Sequence, residues 1–247
     1  MTSTYWRRRG YLAAAAAVAL IAGIAPPAGA EPPSAKTSQS EAQRVDAIPT
    51  PKLDWKPCPD AADTQCADVQ LPLDYDEPGG EQVTISLRKV PAINQAERVG
   101  SLFINPGGPG TSAKKFLDNG GTYFTESVRD RFDLIGMDPR GMGDSSPLKC
   151  ITNPDPVLKA AAPAFLMRFP LNPDDMKTYQ KSYKAIADGC SGSKLAAAMT
   201  TTEVARDMEV LRRAVGDDKL NYLGFSYGSY LGQVYANMFP DRVRAVA

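Results

Sequence analysis

Two short, largely apolar segments constrain the fold of this chain more than any other feature. Residues 101–104 (Ser-Leu-Phe-Ile) and 132–137 (Phe-Asp-Leu-Ile-Gly-Met) do not alternate between polar and apolar residues as half-exposed strands do. Each precedes a loop rich in glycine and proline, at 105–110 and 138–143. Strands buried on both faces are typical of parallel sheets covered by helices. These segments therefore predict a parallel α/β sheet, with both loops at the strand ends where ligands bind.

The rest of the chain alternates strands with helices. Residues 69–73 and 83–87 have the alternation of half-buried strands. A buried strand is expected at 220–225, a helix at 227–239 and the start of another strand at 242–247. This order predicts an α/β fold with a mostly parallel sheet and flanking helices.

A helix is predicted over 200–216. Thr200 and Glu203 fit a capping box at its start, and Gly216 would end it. Its apolar stripe recurs at helical spacing and consists of Val204, Met208, Leu211 and Val215.

The N-terminal 30 residues are typical of a secretory signal peptide. Three arginines at 7–9 precede a short apolar run at 11–25, and a small-x-small site ends at Ala30. A membrane anchor is the alternative, but the run is short for a bilayer span of about 20 residues. The Arg-Arg pair also resembles a twin-arginine export box. We therefore expect a secreted protein, by either export route, without stable membrane association.

Three further boundaries follow from composition. Residues 31–52 are rich in Pro, Ser, Ala, Gln and Lys, which predicts a disordered linker. Residues 53–247 are expected to form the N-terminal part of the α/β domain. Within it, residues 147–199 show only weak helical signals and are interpreted as an excursion from the sheet edge.

Four cysteines, an even number in an exported chain, predict disulfides. Four cysteines allow three pairings. Short loops close at the lowest entropic cost, which favours Cys58–Cys66 and Cys150–Cys190. Four buried free thiols are the alternative. No Cys-His or Cys-x-x-Cys spacing indicates a metal, and no motif indicates a cofactor.

Charge and histidine content narrow the function. The sequence contains 28 basic residues (Lys and Arg) and 28 acidic residues (Asp and Glu). It therefore lacks the excess of basic residues that is typical of nucleic-acid-binding proteins. The sequence contains no histidine. A serine nucleophile normally needs an imidazole to accept its proton. The 247 residues by themselves are therefore expected to have no hydrolase activity.

Residues 224–228 (Gly-Phe-Ser-Tyr-Gly) match the G-x-S-x-G motif between a predicted strand and a predicted helix. This context is that of a nucleophile elbow, in which a strained turn exposes the serine at the helix N-terminus. Ser226 is the predicted nucleophile. A plain strand–turn–helix connection is the alternative.

Residues 106–110 (Pro-Gly-Gly-Pro-Gly) follow the first apolar strand. Glycines let backbone amides approach a substrate oxygen closely, which predicts an oxyanion hole. Gly108, or its neighbour Gly107, would supply one amide and Tyr227 the other. A phosphate-binding loop is the alternative, but no G-x-G-x-x-G or Walker lysine is present.

Residues 138–146 (Asp-Pro-Arg-Gly-Met-Gly-Asp-Ser-Ser) are interpreted as mainly structural. Asp138 and Arg140 are expected to hold loops together near the site. Asp144 could be proposed as a triad acid, but the α/β-hydrolase order is serine, acid, histidine along the chain.

Together, these motifs resemble the proline iminopeptidase family of α/β-hydrolases, particularly its exported actinobacterial tripeptidyl-aminopeptidase-like branch. The resemblance covers roughly residues 53–247. It implies an α/β-hydrolase fold, truncated after the elbow helix, and release of short N-terminal peptides or proline through an acyl-enzyme on Ser226. It also implies that the triad acid, the histidine and the acids that bind the substrate amine lie beyond residue 247.

The sequence allows two alternatives to a peptidase. The first is an esterase or other small-molecule hydrolase of the same fold, because fold does not fix substrate. The second is a non-catalytic secreted binding protein. For either enzyme we expect a peptide or small-molecule substrate and a monomer at full length.

Overall fold

The computed structural model describes residues 35–119, 121–149, 154–167 and 169–247. The predicted signal peptide at 1–30 lies outside these residues. One sheet contains seven strands in the order β1-β2-β3-β5-β4-β6-β7. The strands are β1 (Lys56–Cys58), β2 (Ala61–Pro72), β3 (Gln82–Val90), β4 (Gly100–Asn105), β5 (Phe132–Met137), β6 (Leu220–Gly224) and β7 (Val243–Val246).

Four strands, β4 to β7, run parallel to one another, and the two glycine-rich motifs follow β4 and β6. β4 lies between β5 and β6 and pairs in parallel with both, and β7 pairs in parallel with β6. The two apolar segments of the sequence are β4 and β5, and both are almost entirely buried. The predicted mostly parallel sheet with flanking helices is therefore confirmed.

The other edge of the sheet is antiparallel. β2 pairs with β1 and β3, and β3 pairs with β5, all in antiparallel orientation. A disulfide between Cys58 and Cys66 joins β1 to β2, with the two Cα atoms 5.1 Å apart. This confirms the first predicted pair. The second pair stays a prediction, because Cys150 lies outside the described residues.

Helices cover both faces of the sheet. The described helices are α1 (Gln39–Asp46), α2 (Ala113–Phe116), α3 (Glu126–Arg131), α4 (Pro154–Leu166), α5 (Pro173–Gly189), α6 (Lys194–Ala198), α7 (Thr201–Ala214) and α8 (Tyr227–Met238). On one face, Phe103 and Ile135 pack in a large cluster with α7 and α8. On the opposite face, their neighbours Ile104 and Leu134 pack against the α2 and α3 region.

Helix α7 follows its sequence pattern closely. The Thr200 side chain accepts a hydrogen bond from the amide of Glu203 at 3.2 Å, which confirms the predicted N-cap. Val204, Met208 and Leu211 are buried as predicted. The amphipathic stripe therefore fixes α7 on the sheet that carries the elbow.

The prediction of a disordered linker at 31–52 is wrong for residues 35–52. This segment contains α1, capped by Ser38, and buries Val45 and Ile48 in the main core. Glu41 also forms an ion pair with Arg206 of α7 at 2.8 Å. Composition misses this segment because an isolated helix of eight residues is unstable, and tertiary contacts hold it in place.

Residues 147–199 contain more helix than their sequence indicates. The described part of this segment forms α4, α5 and α6 and contributes no strand to the sheet. Proline inside α4, at Pro163, obscures the helical pattern. Among the helices that the structure describes, none combines the length and apolar character needed to cross a bilayer.

Candidate functional site

Ser226 lies in the turn that joins β6 to α8. Its backbone has φ 54° and ψ −120°. Among the described non-glycine residues, only Ser226 and Ser146 have a positive φ. Such a backbone conformation costs about 1–3 kcal/mol and persists only where the surroundings enforce it. The residue is exposed and precedes the first turn of α8. The turn thus presents Ser226 at a helix N-terminus.

The two glycines of the motif are steric requirements of this turn. A Cβ atom at Gly224 would lie 2.4 Å from the carbonyl carbon of Gly228. A Cβ atom at Gly228 would lie 2.4 Å from the carbonyl oxygen of Asn105 at the end of β4. A side chain at either position would therefore force the elbow apart.

Hydrogen bonds tie the elbow to the end of β4. The amide of Phe225 donates to the carbonyl of Asn105 at 2.9 Å, and the amide of Gly228 donates to the carbonyl of Phe225 at 2.7 Å. The Tyr222 hydroxyl donates to the carbonyl of Gly228 at 2.8 Å. The elbow and the glycine-rich loop after β4 consequently form one rigid corner.

The predicted oxyanion loop packs directly against this corner. Gly107 has φ 103°, and a Cβ atom there would lie 2.6 Å from the Phe225 carbonyl oxygen and 2.9 Å from the Ser226 Cβ. The same position is 3.3 Å from the amide nitrogen of Tyr227. Of the predicted donors, Gly107 and Tyr227 therefore lie together beside Ser226.

The two candidate loop amides differ in their hydrogen bonds. The amide of Gly107 donates to the Asn105 side-chain oxygen at 2.9 Å. The amide of Gly108 has no acceptor among the residues that the structure describes. Gly108 is exposed, so its amide is open to a ligand. This geometry favours Gly108 over Gly107 as the loop donor.

Asp138 is a structural residue, as predicted. It is fully buried, and one carboxylate oxygen accepts from the Ser112 hydroxyl at 2.7 Å and from the Lys114 amide at 3.1 Å. The other accepts from the Asp144 amide at 3.0 Å. These bonds join α2 to the loop after β5 and engage both carboxylate oxygens.

Asp144 is likewise engaged elsewhere. Its carboxylate lies 2.8 Å from the Lys114 ammonium group, and this contact lowers the pKa of Asp144. The side chain is otherwise 64% exposed. Asp144 is therefore an ionised surface partner of Lys114.

Arg140 forms a buried ion pair that the sequence only partly indicates. Its guanidinium donates to both carboxylate oxygens of Asp207, at 2.9 and 2.7 Å, and neither side chain is exposed. It also donates to the carbonyls of Leu73 and Pro72. The pair joins β2, the loop after β5 and α7, and confirms that Arg140 holds loops together.

Asp207 has a third partner in Tyr75. The Tyr75 hydroxyl donates to Asp207 at 2.9 Å. Burial, and secondarily the negative charge of Asp207, raise the pKa of Tyr75 well above its ordinary value. The hydroxyl therefore stays a donor at all physiological pH values.

A second buried network, absent from the sequence predictions, fixes the elbow helix. Glu209 of α7 is fully buried and accepts from Arg212, from the Tyr235 hydroxyl at 2.6 Å and from Arg242 at 2.7 Å. Burial alone would raise the pKa of Glu209, but these donors hold it below the ordinary value. Since Tyr235 belongs to α8, Glu209 positions the helix whose N-terminus carries Ser226.

No proton acceptor contacts Ser226 in the part of the chain described. Its hydroxyl makes no hydrogen bond to another side chain there, and the 247 residues contain no histidine. In the described residues, the corner therefore combines an exposed serine hydroxyl with nearby backbone amides, and no side-chain base lies beside it.

Two of the cavities at the surface of the described residues bear on the site. The larger, about 420 Å³, is lined by residues such as Leu73, Glu77 and Glu203 and does not include the elbow. The smaller, about 310 Å³, begins at Thr111, next to the glycine-rich loop, and extends to Phe116 and Tyr123. The described residues contain no cluster of three or more His, Cys, Asp or Glu side chains suited to a metal ion.

Comparison with known proteins places this geometry in a family. The profile of the alpha/beta hydrolase fold family matches residues 100–247. The tripeptidyl aminopeptidase of Streptomyces lividans is 39% identical over 207 residues, covering 78% of this chain and 37% of the relative. The serine protease Hip1 of Mycobacterium tuberculosis is 34% identical over 205 residues, covering 78% of this chain and 38% of the relative.

A third relative carries a different name. The carboxylesterase B of Mycobacterium tuberculosis is 37% identical over 226 residues, covering 85% of this chain and 42% of the relative. The chain thus spans less than half the length of each of these three proteins. The match to the family profile, together with these similarities, shows that the chain belongs to the α/β-hydrolase family and is related to its actinobacterial tripeptidyl aminopeptidase and Hip1 branch.

Proposed function

We propose that this chain carries the nucleophile and the oxyanion hole of a serine peptidase. The observation that carries the proposal is the strained, exposed Ser226 at the N-terminus of α8. Strain at an exposed nucleophilic side chain is typical of functional sites, because a purely structural turn would place glycine there. Ser226 attacks the scissile carbonyl and forms an acyl-enzyme, which water then hydrolyses.

The oxyanion that forms in this attack needs two backbone donors. We propose the amides of Gly108 and Tyr227, supported by the unengaged amide of Gly108 and by the position of Tyr227 in the first turn of α8. The positive end of the helix dipole favours the same negative charge. Gly107 has a supporting role, since its lack of a side chain lets the loop approach the elbow.

Deprotonation of Ser226 requires a general base within reach of its hydroxyl. A histidine held by a carboxylate is the usual partner of such a serine, and there is no histidine here. We therefore propose that these residues alone are inactive, and that the complete triad forms with residues outside this sequence.

The proposed substrate is a peptide with a free N-terminus, from which a short peptide or proline is released. The similarity to the Streptomyces tripeptidyl aminopeptidase and to the serine protease Hip1 supports this choice. An esterase is the second candidate, supported by the similarity to carboxylesterase B over 85% of this chain. The signal-like residues 1–30 support export of the protein.

A substrate panel separates the two candidates. The protein expressed from its complete gene should hydrolyse a tripeptidyl anilide with a free N-terminus. We expect acetylation of that N-terminus to lower kcat/KM by about 10²-fold or more, because a site built for a charged amine is left unpaired. Release of the chromogenic aniline measures both rates.

Two other outcomes would redirect the proposal. Cleavage of short-chain p-nitrophenyl esters without cleavage of either anilide would identify an esterase. Absence of turnover on every substrate, with the protein folded, would indicate a non-catalytic binding protein.

The oxyanion loop provides a further prediction. In Gly107→Ala, the new methyl group would lie 2.6 Å from the Phe225 carbonyl oxygen and would force the loop away from Ser226. Displacement of the Gly108 donor should lower kcat by about 10²- to 10³-fold. Steady-state kinetics of the variant measures the loss.

Gly110→Ala is the matched control in the same loop. A Cβ atom there meets only the Met142 side chain, at 3.5 Å or more. We expect its kcat to stay within about threefold of the original protein. Equal losses in the two variants would contradict a specific role for the approach at Gly107.

A further inference from the structure

We propose that Phe225, Phe116 and Tyr123 form an aromatic subsite that binds an apolar substrate side chain next to the scissile bond. This inference rests on the proposed function, since it places the subsite beside the nucleophile Ser226. It adds the chemical class of the group that the enzyme selects.

The three rings form a continuous row that starts at the nucleophile. Phe225 directly precedes Ser226, and its ring centroid lies 6.1 Å from that of Phe116. Phe116 in turn stacks on Tyr123, with centroids 5.4 Å apart and ring planes 24° from parallel. A substrate bound at Ser226 therefore has aromatic surface within reach on this side.

Two of the three rings in the row are exposed to solvent, although aromatic side chains are usually buried. Phe225 is 46% exposed and Tyr123 is 70% exposed. Isolated apolar residues are normal on protein surfaces, but adjacent exposed aromatic rings beside a functional residue mark a binding surface. The unused aromatic faces would be covered by an apolar ligand group.

A cavity gives this surface a definite volume. About 310 Å³ of space is lined by two rings of the row, Phe116 and Tyr123, and by Thr111, which directly follows the glycine-rich loop. This volume is at the lower end of the range of small-molecule pockets, about 300–1,000 Å³. It suits one side chain of a peptide rather than a whole ligand.

The charges at the rim favour an uncharged occupant. Lys115 and Asp118 both line the cavity, so neither sign of charge dominates. The other flank of Ser226 differs, because the Tyr227 hydroxyl is hydrogen-bonded to Thr201 at 2.8 Å. The Phe225 side is therefore the apolar flank, and aromatic or branched aliphatic side chains are the groups that fit it.

The test compares substrates that differ in one side chain. Two peptide anilides that carry phenylalanine or alanine at the residue before the scissile bond, and two peptides that carry them after it, are assayed with the protein expressed from its complete gene. We expect the original protein to prefer phenylalanine at one of these positions by about tenfold or more in kcat/KM.

Tyr123→Ala and Phe116→Ala should each remove most of that preference. The loss is expected mainly in KM for the phenylalanine substrate, so the ratio of kcat/KM between the phenylalanine and alanine substrates should fall. Tyr123→Ala keeps the test valid if Phe116→Ala unfolds, because Tyr123 is 70% exposed. Tyr230→Ala, an exposed aromatic residue on the Tyr227 flank, is the matched control and should leave the preference unchanged.

An unchanged preference in folded Tyr123→Ala and Phe116→Ala variants would overturn the subsite while leaving the proposed function in place. A wild-type protein that does not discriminate between phenylalanine and alanine at either position would do the same. Absence of turnover on all four substrates would overturn the proposed function, and the subsite with it.

Discussion

The Ser226→Ala variant should lose hydrolytic turnover by a factor of about 10⁴ to 10⁶. Without the hydroxyl no acyl-enzyme forms, and only the backbone donors and substrate binding continue to lower the barrier. The fold should be unaffected, because the Ser226 hydroxyl makes no hydrogen bond to a side chain among the described residues. Alanine also keeps the Cβ atom, so the strain at φ 54° does not change. Progress curves with the tripeptidyl anilide, alongside thermal unfolding, measure both properties.

Ser229→Ala is the matched control for this variant. Ser229 is exposed, lies one turn along the same helix and donates to the Gly224 carbonyl at 3.1 Å. Its loss removes one weak hydrogen bond and no reacting atom, so activity should stay within about threefold. Full activity in Ser226→Ala would remove this serine from the mechanism.

The second large effect is on stability. Asp207→Ala should lower the free energy of unfolding by about 3–5 kcal/mol, because it removes the two-pronged counter-charge of the buried Arg140 guanidinium and leaves only the more distant carboxylate of Glu203, at 3.8 Å. It also leaves the Tyr75 hydroxyl without an acceptor. Urea unfolding followed by circular dichroism measures the change.

An exposed ion pair provides the comparison. Asp188 lies 2.6 Å from Lys184 on α5, and both side chains are more than half exposed. The same substitution, Asp188→Ala, should change stability by less than about 1 kcal/mol, since water screens the pair. Similar losses at Asp188 and Asp207 would show that burial does not determine the effect.

A double variant separates the lost contacts from the buried charge. Arg140→Met combined with Asp207→Leu removes both charges at once, so it should be less destabilised than Asp207→Ala alone. A double variant less stable than Asp207→Ala would contradict the role assigned to the buried charge of Arg140.

The features that were predictable from sequence are governed by local sterics and periodicity. The apolar runs of β4 and β5, the stripe of α7 and the glycines at 224 and 228 each depend on residues close along the chain. Where a Cβ atom would clash with neighbouring backbone, the residue must be glycine, and the motif can be recognised from the sequence. Such local constraints make the strand–turn–helix at 224–228 predictable from sequence.

The buried charge networks could not be predicted in this way. Asp207 lies 67 residues from Arg140 and 132 from Tyr75 along the chain, and nothing in its neighbourhood marks it as buried. The same applies to helix α1, which is stabilised by contacts with α7 rather than by its own sequence. The burial of Asp207 and the stability of α1 both depend on residues that are distant along the chain. A single sequence does not show which distant residues come into contact.

The choice between Gly107 and Gly108 as the proposed oxyanion donor also required the structure. Both glycines fit the motif, but only the fold brings the Asn105 side chain to the Gly107 amide. The sequence therefore located the loop, whereas the hydrogen bonds indicate which amide is open.

Covalent labelling tests the central assignment most directly. The protein expressed from its complete gene is treated with a fluorophosphonate, and the adduct is located by peptide mapping with mass spectrometry. We expect one adduct, on Ser226, and no adduct in Ser226→Ala under the same conditions. An adduct on another serine, or equal labelling of the Ser226→Ala variant, would contradict it.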